Sequence, residues 1–599
     1  MDNQPSTPHQ FTPEEQANNA RLLAALPRGS DVPIRDRIVD YEVVEMAALF
    51  REGNPDKLTS EEVLTAYLNR ISSLNGPFET YANNGYYNAF VRIAGISDLL
   101  AQARQADLWL QNPNDERGPA PPLCGIPLGV KDSIGIKGLA SKNGTQTFSA
   151  NIAVRDATCV ARLRAQGAVV VGHTICSEYS GDVIGQFAVN AWDPARAPGG
   201  SSQGSAVAPA ARLIAAALGE ETAGSMIIPA SANGVSAIKP SLGVVSGAGV
   251  MPLRTGWDVV GPMARSVRDA SLVLSLIAGS DAQNDPQTLS TPELANRLPI
   301  SARSGPQPLQ GLNIGIPQTD WLELNVPPSE SYDTDYSNAF KQFKADLASL
   351  GANLVEFPGL DLNIEINAPY LSPYPFYDVE GEDGQLLMRV NGPVGTTYPN
   401  QFETLHWLAI RDFALSLSSE EHRDELLQVY HPDESHYVAG IIPVGIRVEA
   451  ENRRRQQQVL FEKALDRDSI DFMVVMPIGA HLGLLSDPYM ERIRRRRIYV
   501  EAPNALAWPM VTFPINHGQT DLPRPLPITA AFWGRRFSEP MLVQAAIDFQ
   551  DRFAKYHTRA PTDPVFTGIA SKAPILRFWD IPPECSNDPV GILQGRLHP

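Results

Sequence analysis

Cysteine is scarce in this chain: Cys124, Cys159, Cys176 and Cys585 are the four in 599 residues. They are too few for a disulfide framework, and no Cys-x-x-Cys or comparable spacing occurs, so no metal site and no cofactor is expected. An apolar run of about eighteen residues, the minimum for a spanning helix, is also missing. The segment Met1 to Asn19 is polar and contains proline, without the apolar centre of a secretory leader. These absences together lead to the expectation of a cytoplasmic protein with no membrane-spanning segment. Positive charge is short as well, 49 basic against 67 acidic side chains for a formal net charge of −18. That balance argues against a nucleic-acid or anionic-membrane surface. Two basic runs, Arg453 to Arg455 and Arg492 with Arg494 to Arg497, are flanked by acids and read as solvated helix faces. Histidine, finally, is absent between His173 and His406.

What is present fits an ordinary globular protein, with 43% hydrophobic and 19% charged residues. The length exceeds the usual domain, but large α/β enzymes often do so in one unit. Residues 122–275 alternate short apolar strands with helices, the pattern of a layered α/β structure. Helices are expected over Leu58 to Ile71, with a Ser/Thr cap and early acids, and over Ser97 to Leu110. The small apolar run Ala206 to Leu218 also reads as a helix. Strands at Leu312 to Ile316 and Asn353 to Phe357 bracket a helix over Tyr332 to Leu350. Residues 276–311 form a polar, proline-rich connection. We expect an N-terminal extension over 1–40, a main domain over 41–560 and a C-terminal extension over 561–599 that packs back on the core.

Two serines draw the attention to chemistry. Ser201 lies in Pro198-Gly199-Gly200-Ser201-Ser202-Gln203-Gly204-Ser205 and Ser225 in Gly224-Ser225-Met226, 24 residues apart and each directly after glycine. Lys131 stands upstream in Gly125-Ile126-Pro127-Leu128-Gly129-Val130-Lys131-Asp132. Serine needs a base to become a nucleophile. With no histidine nearby, a lysine serves if burial keeps it neutral. The residues therefore read as a Ser-Ser-Lys hydrolase.

In order and spacing these motifs resemble the amidase signature family. The likeness extends to Asp156-Ala157-Thr158-Cys159-Val160-Ala161-Arg162-Leu163, Gly167 to Gly172, Ile238-Lys239-Pro240-Ser241-Leu242-Gly243 and Gly261 to Asp269. Near the end, Asn504 to Pro509 and Leu526 to Thr529 with Trp533 to Phe537 resemble the family's closing strands. Coverage is good from about 58 to 275 and from about 500 to 556. The resemblance implies an α/β amidase signature fold, a large mixed central sheet covered on both faces by helices. It also implies an amidase that cleaves a carboxylic amide C–N bond through a serine acyl-enzyme, with a small-molecule amide and water as partners, no nucleic acid, and a monomer or homodimer.

By the same resemblance Ser225 is the nucleophile, Ser201 the bridging serine after a cis Gly200–Ser201 bond, and Lys131 the base. Ser202 and Gly200 support the loop. The N–H groups of Thr222, Ala223, Gly224 and Ser225 form the oxyanion hole, the kind of preorganised donor set that carries much of acyl-transfer catalysis. Cys176, Ser180 and Ile227 are candidate substrate contacts. Departures are informative. Glu221-Thr222-Ala223-Gly224-Ser225 stands where the family commonly has Asp-x-x-Gly-Ser, and Ile227 stands where many members carry Arg. Arg pairs with carboxylates and isoleucine cannot, which points to neutral, apolar or aromatic amides and away from the amidotransferase component that modifies charged transfer RNA. Residues 358–450 match poorly and are rich in aromatics, including Tyr370, Tyr374, Phe376, Tyr377 and Tyr398; they are either the specificity region or a surface insertion. Alternatives on the same scaffold are a carbamate or ester hydrolase and a non-catalytic binding protein. A nitrilase-like site on Cys176 and Glu178 with a lysine is a separate rival, against which a buried structural thiol is the plainer account of Cys176.

Overall fold

The computed structural model describes residues 9–51, 58–112, 114–146, 148–180, 186–253, 256–317, 332–358, 377–380, 386–391, 396–398, 444–487, 500–518, 525–561 and 566. Most of the apolar segments read above are strands of one eleven-stranded sheet. In chain order these are β1 Phe90–Ile93, β2 Pro127–Lys131, β3 Val169–Thr174, β4 Ala216–Glu221, β5 Ser236–Lys239, β6 Val259–Ala264, β7 Asn313–Pro317 and β8 Asn353–Phe357. After β9 Tyr377–Glu380, β10 Leu386–Asn391 and β11 Thr396–Tyr398, which form a separate small sheet, come β12 Phe472–Val475, β13 Met510–His517 and β14 Pro527–Trp533. The large sheet runs β1-β3-β2-β4-β6-β5-β13-β14-β12-β7-β8. It is mixed: β3, β2 and β4 are mutually parallel, as are β12, β7 and β8, and the strands between are antiparallel. Helices cover both faces.

Every residue of β2, β3 and β4 is buried. Central strands covered on both faces lose the in–out alternation and read as continuous apolar runs. That corrects the expectation of one helix over Ala206 to Leu218. The helix is only Gln203–Ala210; Arg212 turns into the left-handed region at φ 59°, and the chain re-enters the sheet as β4. Periodicity cannot separate a buried helix from a buried strand in such a run. The first helix also differs from a loosely patterned extension: Pro13–Ala25 starts with a Thr12–Glu15 capping box, and its Arg21 holds the carbonyls of Ala295 and Leu298 in the 276–311 connection.

Elsewhere the local signals and the structure agree. Thr59 and Glu62 cap the helix Ser60–Leu74 reciprocally, and Val63, Leu64, Tyr67 and Ile71 form its buried stripe. Helices Ile96–Gln111 and Thr334–Ser349 lie where expected. At the C-terminal end, Asn504 belongs to a short helix, Glu501–Ala505, and the strand begins only at Met510. Arg454 is a second correction. It is buried and donates to the carbonyls of Gly256 and Ala505, so one member of the Arg453 to Arg455 run ties segments together instead of facing solvent. The second basic run, most of 358–450 and nearly all of the C-terminal extension fall outside the described residues. Among the described residues, no helix is long and apolar enough to cross a membrane.

Candidate active site

Parallel β3, β2 and β4 end side by side, and their carboxyl ends deliver Thr174, Lys131 and Glu220–Glu221 to one edge of the sheet. This is the usual place for a site in sheets of this kind, because the loops that leave there face a common crevice. Lys131 is fully buried, and its Nζ donates to Ser201 Oγ at 2.9 Å. It also donates to Glu220 Oε2 at 3.2 Å, with both side chains about 1% exposed. Ser133 Oγ donates to the same carboxylate oxygen at 2.6 Å. The Glu220 carboxylate thus gives the buried lysine a counter-charge, a neighbour that sequence reasoning misses. A signal for it exists: two consecutive acids end an apolar strand just before the second serine motif.

The bond between Gly200 and Ser201 is cis. The loop around it is held from three sides. Ser201 O accepts from Ser177 N–H at 3.0 Å and Gln203 N–H at 2.9 Å. Ser202 Oγ donates to Glu220 O at 3.1 Å and accepts from Glu220 N–H at 3.2 Å, while Ser202 N–H donates to Ser225 O at 2.9 Å. Ser202 therefore ties together the two serine loops and the end of β4. Gly204, in the first turn of the helix Gln203–Ala210, packs so closely that a Cβ there would overlap the carbonyl oxygen of Ala89.

Glu221 organises the turn that carries Ser225. Its carboxylate accepts from the N–H groups of Gly224, Met226 (2.5 Å) and Ile227 (3.1 Å), and from Asn504 Nδ2 at 2.7 Å. Gly224 adopts φ 124°, a conformation that side-chain-bearing residues rarely take, and a Cβ at that point would overlap Ile228 Cδ1, so a larger residue strains the turn and displaces the Ile228 side chain. Thr222 Oγ1 donates to Asp258 Oδ1 at 2.5 Å. Among the described residues, the N–H groups of Thr222, Ala223 and Ser225 have no hydrogen-bond partner, and neither does Ser225 Oγ. The Gly224 N–H, in contrast, is already committed to Glu221.

The remaining candidates sit further back. Cys176 and Ser180 are buried and both donate to Asn143 Oδ1, at 3.6 and 2.6 Å. Burial, followed by the charge of Asp132, pushes the Cys176 thiol well above its ordinary value. A thiol so placed stays protonated, and the thiolate is the nucleophile, which leaves the Cys176 rival without its reactive form. Ile227 is also fully buried. Asp132 beside Lys131 is paired with Arg92 and accepts from Gly144 N–H at 3.0 Å. His173, in the same cluster, is lowered to about 4 by burial against the opposing pull of Asp132, so it is neutral and not a cation of this site. Among the described residues no group of three His, Cys, Asp or Glu side chains is arranged to hold a metal.

A mixed sheet carrying a buried lysine bonded to a serine after a cis bond defines a class of protein, the serine–lysine amidohydrolases. The chain belongs to the amidase signature family: the family model described as Amidase matches residues 62–543. By family it is a carbon–nitrogen hydrolase. The chain is 31% identical over 489 residues to a subunit of the glutamyl-tRNA(Gln) amidotransferase of Ralstonia nicotianae, covering 79% of this chain and 92% of that one. The corresponding subunit from Nitrosospira multiformis is 29% identical over 517 residues, 85% of this chain and 97% of the relative. Among solved structures, native peptide amidase from Stenotrophomonas maltophilia matches with a TM-score of 0.62 at 27% identity, over 88% of this chain and 98% of that one.

Proposed function

We propose that the protein is an amidase that hydrolyses a linear carboxylic amide through an acyl-enzyme on Ser225. The observation that carries this reading is the 2.9 Å hydrogen bond between Lys131 Nζ and Ser201 Oγ in a fully buried setting. A serine hydroxyl accepts and donates at once, so Ser201 can take the proton of Ser225 as it hands its own towards Lys131. Ser225 Oγ attacks the amide carbon, and the same path later returns a proton to the leaving nitrogen. The oxyanion falls to the N–H groups of Thr222, Ala223 and Ser225, which are unengaged among the described residues, with the Gly224 N–H serving to fix the turn through Glu221. Donors fixed in advance need no reorganisation as charge develops.

The reading extends to substrate. No cation stands two positions after Ser225, where Ile227 is buried and apolar, and this favours neutral, apolar or aromatic acyl groups. A carbamate or ester would use the same chemistry. The names of the relatives support a second reading, in which the chain is one component of an amidotransferase that works on glutamyl-tRNA(Gln); the identity of 29–31% over most of both chains favours it. A fluorophosphonate should label Ser225 in the native protein, and a panel of chromogenic amides, carbamates and esters should show turnover by the chain alone. Labelling at a different serine would overturn the assignment. Labelling at Ser225 without turnover of any member of the panel favours the amidotransferase reading.

A further inference from the structure

Lys131 is asked to take a proton from Ser201, yet it lies buried 3.2 Å from a carboxylate. A buried ammonium–carboxylate pair is favoured by its own attraction, provided both partners find further hydrogen bonds. Here the lysine has Ser201 Oγ beside Glu220 Oε2, and that one carboxylate oxygen has Ser133 Oγ as well. The other oxygen, Glu220 Oε1, is buried and has no hydrogen-bond partner among the described residues. The surroundings contain little that would compete for a proton. From β2 come Lys131 and, just beyond it, Ser133; from the segment after β3 comes the thiol of Cys176, which stays protonated. Asp132 is occupied by Arg92. Val260 of β6 lies opposite Glu220 in register and carries no charge. Glu221, next along β4, is bound to the nucleophile turn and Asn504, and Lys239 is bound to the carbonyls of Trp508 and Pro503.

We propose that Glu220 is a second proton site behind Lys131, so that the base of this enzyme is the pair and not a neutral lysine. The inference rests on the Ser225–Ser201–Lys131 reading and deepens it. As Ser225 Oγ bonds to the amide carbon, its proton passes to Ser201 Oγ, the Ser201 proton passes to Lys131 Nζ, and one Nζ proton passes to Glu220 Oε2. Lys131 begins and ends as an ammonium. Glu220 begins as a carboxylate and ends as a carboxylic acid, and the negative charge it gives up appears on the oxyanion. When the tetrahedral intermediate collapses, the proton returns along the same path to the leaving nitrogen. The acid limb of the rate then follows ionisation of Glu220. If a neutral lysine were the base, the limb would follow loss of the ammonium proton.

The two mechanisms predict opposite signs for Glu220→Gln, with the pH profile of Ser225 labelling by a fluorophosphonate as the readout. In Glu220→Gln only Lys131 is left to accept the proton, so the acid limb moves to higher pH. Labelling near pH 6 should fall by at least ~10-fold, with the gap narrowing towards pH 9. Glu220→Asp should recover much of the loss at low pH. Ser133→Ala keeps the carboxylate but removes a hydrogen bond to its charged form, and it too should shift the limb upward. Where Glu220→Gln does not fold, infrared titration of the parent replaces it: a buried carboxyl band lost through the acid limb is expected, and a limb without one overturns the proposal. A limb that moves to lower pH in Glu220→Gln or Ser133→Ala, or one that stays put in both, overturns the proton-site role. In the first case removal of the counter-charge has merely made the ammonium easier to discharge. Failure of the parent protein to label at Ser225 overturns the triad reading itself, and the inference with it.

Discussion

Asn504 Nδ2 lies 2.7 Å from Glu221 Oε1, so a residue of the short helix Glu501–Ala505 holds the acid that shapes the Ser225 turn. The same Nδ2 donates to Val500 O at 3.0 Å, which anchors Asn504 within its own segment. Glu221 and Asn504 are 283 positions apart in sequence. The turn is therefore assembled only when these two distant segments have met.

Replacing Asn504 by Ala should cost about 1.5–3 kcal/mol, the usual worth of a hydrogen bond to a charged group. It should also slow fluorophosphonate labelling of Ser225, because Glu221 fixes the Gly224, Met226 and Ile227 N–H groups. Asn504→Asp should do worse on both counts, since it sets a second carboxylate against the first. Chemical denaturation and labelling rates measured on the same preparations check this. An Asp variant as stable and as reactive as the parent would show that Glu221 does not depend on its partner.

Ser225→Ala should abolish turnover and labelling while leaving stability nearly unchanged, since the Ser225 hydroxyl makes no hydrogen bond among the described residues. Lys131→Met behaves differently. It strands Glu220 as an unpaired buried charge, a loss of about 3–5 kcal/mol, in addition to the loss of activity. Ser201→Ala should fall between the two in stability. Thermal unfolding of the three variants, with kcat/KM on a responsive anilide, separates the hydroxyl that serves chemistry from the lysine that serves both.

Lys239 makes stability depend on pH. Burial lowers its ammonium to about 7 against the opposing pull of Glu221 and Glu539, whereas in the unfolded chain it titrates near the ordinary lysine value of about 10.4. Between these two values the unfolded chain holds a proton that the folded one has shed, so the group makes stability rise with pH by up to about 1.4 kcal/mol per unit. Below pH 7 both states carry the proton and the contribution is flat. Lys239→Met should remove this rise. Unfolding free energies of parent and variant from pH 6 to 10 test it; parallel curves would rule out a depressed Lys239.

How much of this is legible in the sequence depends on distance along the chain. The Gly-Ser loops, Lys131 at a strand end and the Thr59–Glu62 cap are readable because each is a local pattern with a local cause. Asn504 takes no role from sequence alone, since its partner is fixed by tertiary assembly and not by spacing. Glu220 escapes notice because the run before it reads as a helix, and only the parallel pairing of β2 with β4 brings it to Lys131. The family resemblance makes the Gly224 N–H an oxyanion donor, and it does not reveal that Glu221, three residues earlier, turns back to accept that N–H.

Substrate preference provides the last test. A carboxylate on the acyl group needs a cation or several N–H donors, and desolvating it without them is costly. Among the groups around Ser225, the carboxylate of Glu221 already absorbs the N–H groups of Gly224, Met226 and Ile227. Ile227 is buried and carries no charge, and Lys131 is engaged with Ser201 and Glu220. An acidic acyl group would then find no free cation among these residues to offset its lost hydration. Neutral acyl groups incur no such cost. Measured across matched anilides, with acyl parts running from malonyl-like to benzoyl and long-chain, kcat/KM should be highest for the neutral, apolar or aromatic members. If the acidic acyl group wins by a factor of about ten, roughly 1.4 kcal/mol of transition-state discrimination, a cation from elsewhere in the chain or from a partner must reach the site, and the preference for neutral amides is wrong even where Ser225 remains the nucleophile.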